Sequence, residues 1–185
     1  LDKESEYLAL AQLLLLNQNP FWAAQVLVSG QKKITTYTET VIDKTTGKEV
    51  KVEKTGPVVR DTEKNLKLLA DSWRMAQEID KAIPVLEKAA KLSKDGKSYV
   101  LLGNLYLSED KLDEAVDSIK KGLKKGKVDK LSQVHLTLGQ AYFELQKFED
   151  AKKQFRIAAR DKDKKVKTTA NNWIKYTENE EIRVK

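Results

Sequence analysis

The sequence predicts an all-α solenoid: four helix pairs and a C-terminal capping helix, with one β-hairpin inserted after the first pair. Three observations predict it. Small residues recur on a period of about 34 residues, at Ala70, Gly103 and Gly139, each followed three places later by a large aromatic, Trp73, Tyr106 and Tyr142. Apolar-periodic segments come in twos, parted by short polar turns such as Gln146-Lys147. One stretch, Ile34 to Val59, abandons that spacing: it is rich in threonine and valine, with polar and apolar types alternating, the period of a strand.

Taken in order, residues 1–33 form the first pair, with Tyr7, Leu10, Ala11 and Leu14 on one helix and Ala23, Leu27 and Gly30 on the next. Between them Asn19 is placed to cap the second helix and Pro20 to start it. Residues 34–60 are the hairpin: Val41 faces Val50, Glu39 faces Val52, and Lys44-Thr45-Thr46-Gly47 makes the turn. A disordered linker is the alternative, since two strands alone are marginal in water. Docking of the hairpin on its own helices is expected ahead of strand addition by a partner.

The second pair, 61–94, carries Leu66, Leu69, Ala70 and Trp73, then Ala82, Leu86 and Ala89. Pro84 sits about one turn inside its second helix, with Asp80 as the expected cap. The third pair spans 95–128 around Tyr99, Leu102, Gly103 and Tyr106, then Ala115, Ile119 and Gly122. The fourth spans 129–163, where small Gly139, Ala151 and Ala158 alternate with bulky Leu138, Tyr142, Phe148 and Phe155. Residues 164–185 hold the capping helix, expected over Lys164 to Thr177, and a charged tail from Glu178 expected to fray. A capping helix is needed because the last repeat of a solenoid otherwise exposes an apolar face.

Glycine or alanine at the eighth place of a repeat, and alanine or glycine at the twentieth and twenty-seventh, resembles the tetratricopeptide (TPR) repeat family. The resemblance implies a superhelix whose concave wall is built from the first helix of each pair. Places two, five, nine and twelve then face the groove. They fall on Ser5, Leu8, Gln12 and Leu15; Lys64, Lys67, Asp71 and Arg74; Lys97, Val100, Asn104 and Leu107; and Gln133, Leu136, Gln140 and Phe143. From these the expected partner-binding residues are Gln12, Lys64, Lys67, Asp71, Arg74, Lys97, Asn104, Leu107, Leu136, Gln140 and Phe143. Such a wall suits an extended peptide: amides meet its backbone, lysines its acids, and Leu136 with Phe143 an apolar side chain. The alternative is that these are ordinary solvent-facing residues.

One variant of this groove is disfavoured. Chaperone-binding TPR domains clamp a C-terminal carboxylate, and Lys67 and Asn104 resemble two of the clamp residues. However, Asp71 stands where an asparagine belongs and would repel the ligand. Leu136 and Thr137 replace the third cation.

Catalytic and cofactor chemistry finds little to work with, and neither an enzyme nor a cofactor or metal is expected. Cysteine is absent and His135 is the only histidine; it occupies a packing place, with no carboxylate at helical spacing. The acid pairs Asp113-Glu114 and Glu149-Asp150 open second helices, where they complement the helix dipole. No glycine-rich phosphate loop is present. Trp73 takes the core place held by Tyr106 and Tyr142 in the later repeats, while Trp22 lies on the second helix of the first pair and Trp173 on the cap, where packing is expected of both. Composition, with 34% charged residues and a net charge of +7, describes a soluble chain without a membrane-spanning run. Lys120, Lys121, Lys124 and Lys125 share one helix face: a solvated face, or a contact for an acidic partner or anionic lipid. The chain lacks an initiator methionine and begins inside a repeat, so it reads as a piece of a longer protein.

Two segments, LALAQLLLLNQNPFWAAQVLVSG and LLADSWRMAQEIDKAIPVLEKAAKLS, carry a narrower resemblance. They are similar to the C-terminal part of TPR proteins encoded with TonB, ExbB and ExbD components in marine gamma-proteobacteria. That resemblance implies a periplasmic scaffold accessory to iron-complex uptake, with TonB-system components as protein partners. The alternatives are nucleic-acid or anionic-surface binding through the lysine-rich face, or a cytosolic TPR adaptor. Nucleic acid and membrane insertion are not expected for the scaffold, and its oligomeric state is left open.

Overall fold

The computed structural model describes residues 1–184, which divide into two compact units, Leu1–Ala89 and the chain from Ala90 onward. Among the described residues there are nine helices and one two-stranded sheet. The first unit holds α1 (Glu4–Leu16), α2 (Pro20–Lys32), β1 (Ile34–Ile42), β2 (Glu49–Pro57), α3 (Glu63–Met75) and most of α4 (Ile79–Leu92). The second holds α5 (Lys97–Ser108), α6 (Leu112–Lys125), α7 (Leu131–Glu144), α8 (Phe148–Ala158) and α9 (Lys164–Arg183). Helix accounts for 67% of the chain, twice the share of an ordinary domain. The fold is therefore mostly helical, with a small inserted hairpin.

Within each pair the turn has one geometry. The second residue after the first helix is left-handed: Gln18 (φ 58°), Gln77 (φ 60°), Asp110 (φ 54°) and Gln146 (φ 55°). The next residue donates its N–H back to a carbonyl five positions earlier. The pairs are Asn19 to Leu14 (2.8 Å), Glu78 to Trp73, Lys111 to Tyr106 and Lys147 to Tyr142 (each 2.9 Å). This is the Schellman closure, which satisfies carbonyls left open at a helix end. None of the four left-handed residues is glycine, so no local signal in the sequence marks them. Asn19 does not cap α2 with its side chain; its amide donates to the Asn17 carbonyl at 2.8 Å instead. Pro20 does open α2. Asp80 is not a cap either, because α4 starts one residue before it and Glu78 accepts from Ala82.

In the first unit, Tyr7, Ala11, Ala23, Leu27, Leu66, Ala70 and Trp73 are buried. The chain returning from β2 adds Val58 and Val59, 4% and 1% exposed, through Val58 N–H to Lys33 O (2.8 Å) and Val59 N–H to Gly30 O (3.0 Å). Gly30 leaves no space for a side chain, because a Cβ there would lie 2.4 Å from Val59 Cγ2. The hairpin register matches Val41 with Val50 and Glu39 with Val52. Its docking differs from expectation. Only the base is tied down, while Ile42 is 68% and Val50 and Val52 each 38% exposed. Too few apolar residues lie toward the tip to cover a helix, so beyond its base the ribbon stands free of the pairs it joins.

In the second unit one cluster joins Ile119, Val134, Leu138, Tyr142, Ala151, Phe155, Ala158 and Ala170. Gly139 admits Phe155, whose Cε1 would lie 2.5 Å from an added Cβ. Gly103 admits Ile119 in the same way, at 2.4 Å. Of the tail expected to fray from Glu178 onward, the residues up to Arg183 are helical instead, as part of α9; Lys185 lies outside the described residues. Lys152, only 8% exposed in its side chain, joins Glu149 (2.6 Å) on its own helix to Glu181 (2.7 Å) on α9. A buried ammonium between two carboxylates holds the last turns of α9 in place.

Candidate functional site

The wall residues divide between the two units. In the first, Gln12 on α1 and Lys64 on α3 are exposed. Lys67 lies 3.9 Å from Glu63, and Arg74 lies 3.3 Å from Asp71. Both are single-turn pairs on one helix, which add little to stability. The acid at Asp71 is thus balanced locally, and the surface of α3 is mixed rather than basic.

The polar centre of this unit lies elsewhere, at Glu4. Its carboxylate accepts from the Arg60 N–H (3.0 Å), the Arg60 guanidinium (3.1 Å) and the Asn65 amide (2.8 Å). Asn65 also donates to the Arg60 carbonyl at 2.9 Å. Burial pushes the Glu4 carboxyl upward, but the hydrogen bonds from Arg60 and Asn65 outweigh it and hold it below the ordinary glutamate value. Arg60 in turn lies 5.5 Å from the Tyr37 ring centroid, so one node joins α1, the ribbon base and α3. Reading the sequence missed this node, because Glu4 and Arg60 meet across 56 positions.

In the second unit Asn104 is exposed, while Gln140, Leu107 and Phe143 are half-buried. Leu107 and Phe143 pack against the same apolar cluster. Lys97 forms an ion pair with Asp129 at 2.8 Å. Leu136 is a correction: it is 3% exposed and part of that cluster, so it is no open anchor. Phe143 sits in an aromatic group with Phe148, Trp173 and Tyr176, at centroid distances of 5.7, 5.6 and 5.2 Å. Trp173 stacks on Phe155 at 5.5 Å. Thr169, Asn172, Trp173 and Tyr176 line a shallow recess of about 330 Å³ beside this group. Trp173 and Tyr176 belong to α9, which packs on α7 and α8 as a capping helix; the sequence marked Trp173 for packing but did not single out Tyr176.

Of the other residues singled out, His135 is half-buried and its Nδ1 meets Gln154 Oε1 at 2.9 Å. Trp73 is buried at 4%, whereas Trp22 is 62% exposed and touches Phe21 edge-on at 5.8 Å. A packing role for Trp22 is thereby corrected; its place lies on the outer side of α2. On the lysine face of α6, Lys121 pairs with Asp117 at 2.5 Å. Lys125 donates to the Ala90 carbonyl at 3.1 Å and lies over Tyr99 at 5.3 Å. Part of that basic face is therefore spent inside the fold. No group of three acidic, histidine or cysteine residues could hold a metal among the described residues. No described helix is long and apolar enough to cross a membrane.

Residues 96–124 and 132–159 match the family model of the tetratricopeptide repeat. These are the pairs α5–α6 and α7–α8. Solved structures share the fold. MamA is 19% identical over 90% of this chain and 82% of its own, with a TM-score of 0.65. A tetratricopeptide repeat protein from Parabacteroides merdae is 12% identical over 96% of this chain and 60% of its own, with a TM-score of 0.69. The TPR domain of Arabidopsis OM64 is 21% identical over 61% of this chain and 94% of its own, with a TM-score of 0.51. No curated protein matches the sequence.

Proposed function

We propose that this chain is a non-enzymatic scaffold that binds a protein or an extended peptide through its TPR helix pairs. The observation that carries this is the second unit's surface. There amides at Asn104 and Gln140 accompany apolar Leu107 and Phe143, and all four are at least partly open to solvent. Amides can follow the backbone of an extended peptide, and a half-buried aromatic gives one side chain an anchor. In the first unit Gln12, Lys64, Lys67, Asp71 and Arg74 would supply the polar contacts. The narrower form of the proposal is a periplasmic partnership with a TonB-type energy-transducing complex for iron-complex uptake. It is supported by the similarity of the two long segments quoted above.

A photo-crosslinking residue at Asn104, carried in the full protein in its native host, tests both levels. Recovery of TonB-system components supports the narrow form. Recovery of another protein, lost when Gln140→Ala is added, supports only the scaffold. The rival is nucleic-acid binding through the basic face. DNA binding that weakens steeply between two salt concentrations, with no protein crosslink, overturns the scaffold.

A further inference from the structure

The β-ribbon is well built and poorly covered. Its turn is fixed by Asp43, whose side chain accepts from the N–H groups of Thr45 (2.7 Å) and Thr46 (2.9 Å). Gly47 closes it in the left-handed region at φ 68°. Nine pairs then run in unbroken register from Ile42–Glu49 to Ile34–Pro57. The sheet has only these two strands among the described residues, so each presents a free edge of backbone donors and acceptors. Val41, Val50 and Val52 lie on one face of the ribbon, which no helix covers toward the tip.

We propose that β2 pairs antiparallel with β2 of a second copy of this chain, centred on Val52, to make a four-stranded sheet. The charge pattern selects both the strand and the register. With the two-fold axis at Val52, pairing runs from Glu49 to Thr55, and Lys51 of each copy stands opposite Glu53 of the other. Two complementary cross-strand pairs form at once on one face. On the other face Val52 meets Val52 at the axis, and Val50 of each copy lies against the aliphatic stem of the other copy's Lys54, whose ammonium is held by Glu39 of its own ribbon. Centring on Val50 would pair only Glu49 to Lys51 within the strand. Centring on Glu53, the midpoint of β2, would set like charges against each other.

β1 offers no such match, because Ile34–Ile42 contains Glu39 and no cation. Glu39 is moreover already taken by Lys54, at 2.5 Å within the ribbon. Lys51 and Glu53 form no ion pair among the described residues. Residues 34–57 carry four lysines and four acidic residues. The ribbon is thus neutral on a chain of net charge +7, so two copies can approach here without the repulsion that their helical faces would impose.

Sedimentation of the intact protein over a range of concentrations tests this. A monomer–dimer equilibrium is expected. Lys51→Glu and Glu53→Lys should each weaken self-association about tenfold, with helicity unchanged because both residues are exposed. An equimolar mixture of the two variants should restore the dimer, as should the double swap Lys51→Glu/Glu53→Lys. Restoration by mixing separates a lost interface from a misfolded ribbon. A chain that stays monomeric alone, including one that takes up only a foreign strand, overturns the proposal. So does a dimer indifferent to both substitutions, or one in which mixing fails.

Discussion

Gly30 and Gly122 occupy the same place in the first and third helix pairs, yet different neighbours close over them. At Gly122 an added Cβ would meet the Gly96 carbonyl at 2.8 Å and Val100 Cγ2 at 2.9 Å. Both belong to the start of the partner helix within the pair. At Gly30 the corresponding space is taken by Tyr7 of the partner helix and, more tightly, by Val59 returning from the ribbon. The third pair closes on itself. The first closes on a residue delivered by the insertion, and the ribbon base is thereby part of its core. The family model matches the third and fourth pairs and not the first.

The comparison can be broken most severely on the self-closing side. A Cβ at Gly96 would lie 1.9 Å from the Gly122 carbonyl oxygen, and backbone cannot swing aside as a side chain can. Gly96→Ala should cost the second unit about 3 kcal/mol, read as a lower melting temperature and faster amide exchange in α5 and α6. Unchanged exchange there would show that the two backbones are not held together.

On the ribbon side, Gly30→Ala should cost about 2 kcal/mol, because it meets side chains that can yield somewhat. Val59→Ala removes the atom in the way. In a double-mutant cycle the pair should therefore recover about 1 kcal/mol relative to the sum of the single losses. Strict additivity would mean that the ribbon base does not close this seam.

The smallest effect sharpens the comparison through pH. Glu4 ties α1 to the ribbon exit and α3, and its folded-state pKa is depressed. Its contribution is thus complete above the unfolded value of about 4.3 and is lost as pH falls through the lower folded value. Glu4→Gln should cost about 1 kcal/mol at neutral pH, and the gap to the unaltered protein should close in acid. Denaturant titrations at several pH values would show it. A gap that persists well below the ordinary glutamate range would detach the effect from the Glu4 charge.

The sequence by itself determined what depends on local periodicity. The small-residue grid placed the helices of the repeats, and the alternation from Ile34 onward placed the ribbon with its Val41–Val50 register. These features follow from side chains a few positions apart on one helix or strand, where spacing dictates the face. Of the candidate wall, Gln12, Lys64 and Asn104 are exposed; their assignment to a wall came from the family resemblance and not from spacing. The burial of Leu136 was not legible, because it depends on how neighbouring helices close around α7. Tertiary structure also decided the four left-handed turn residues, the free-standing ribbon and the last turns of α9. Gln18, Gln77, Asp110 and Gln146 take a conformation costly for side chains because the returning helix holds each turn shut. Glu181 stays helical because Lys152 meets it from 29 positions away. The last of these rests on a partner distant in sequence, which no local spacing announces; the turns and the ribbon rest on how whole elements pack, or do not, against one another.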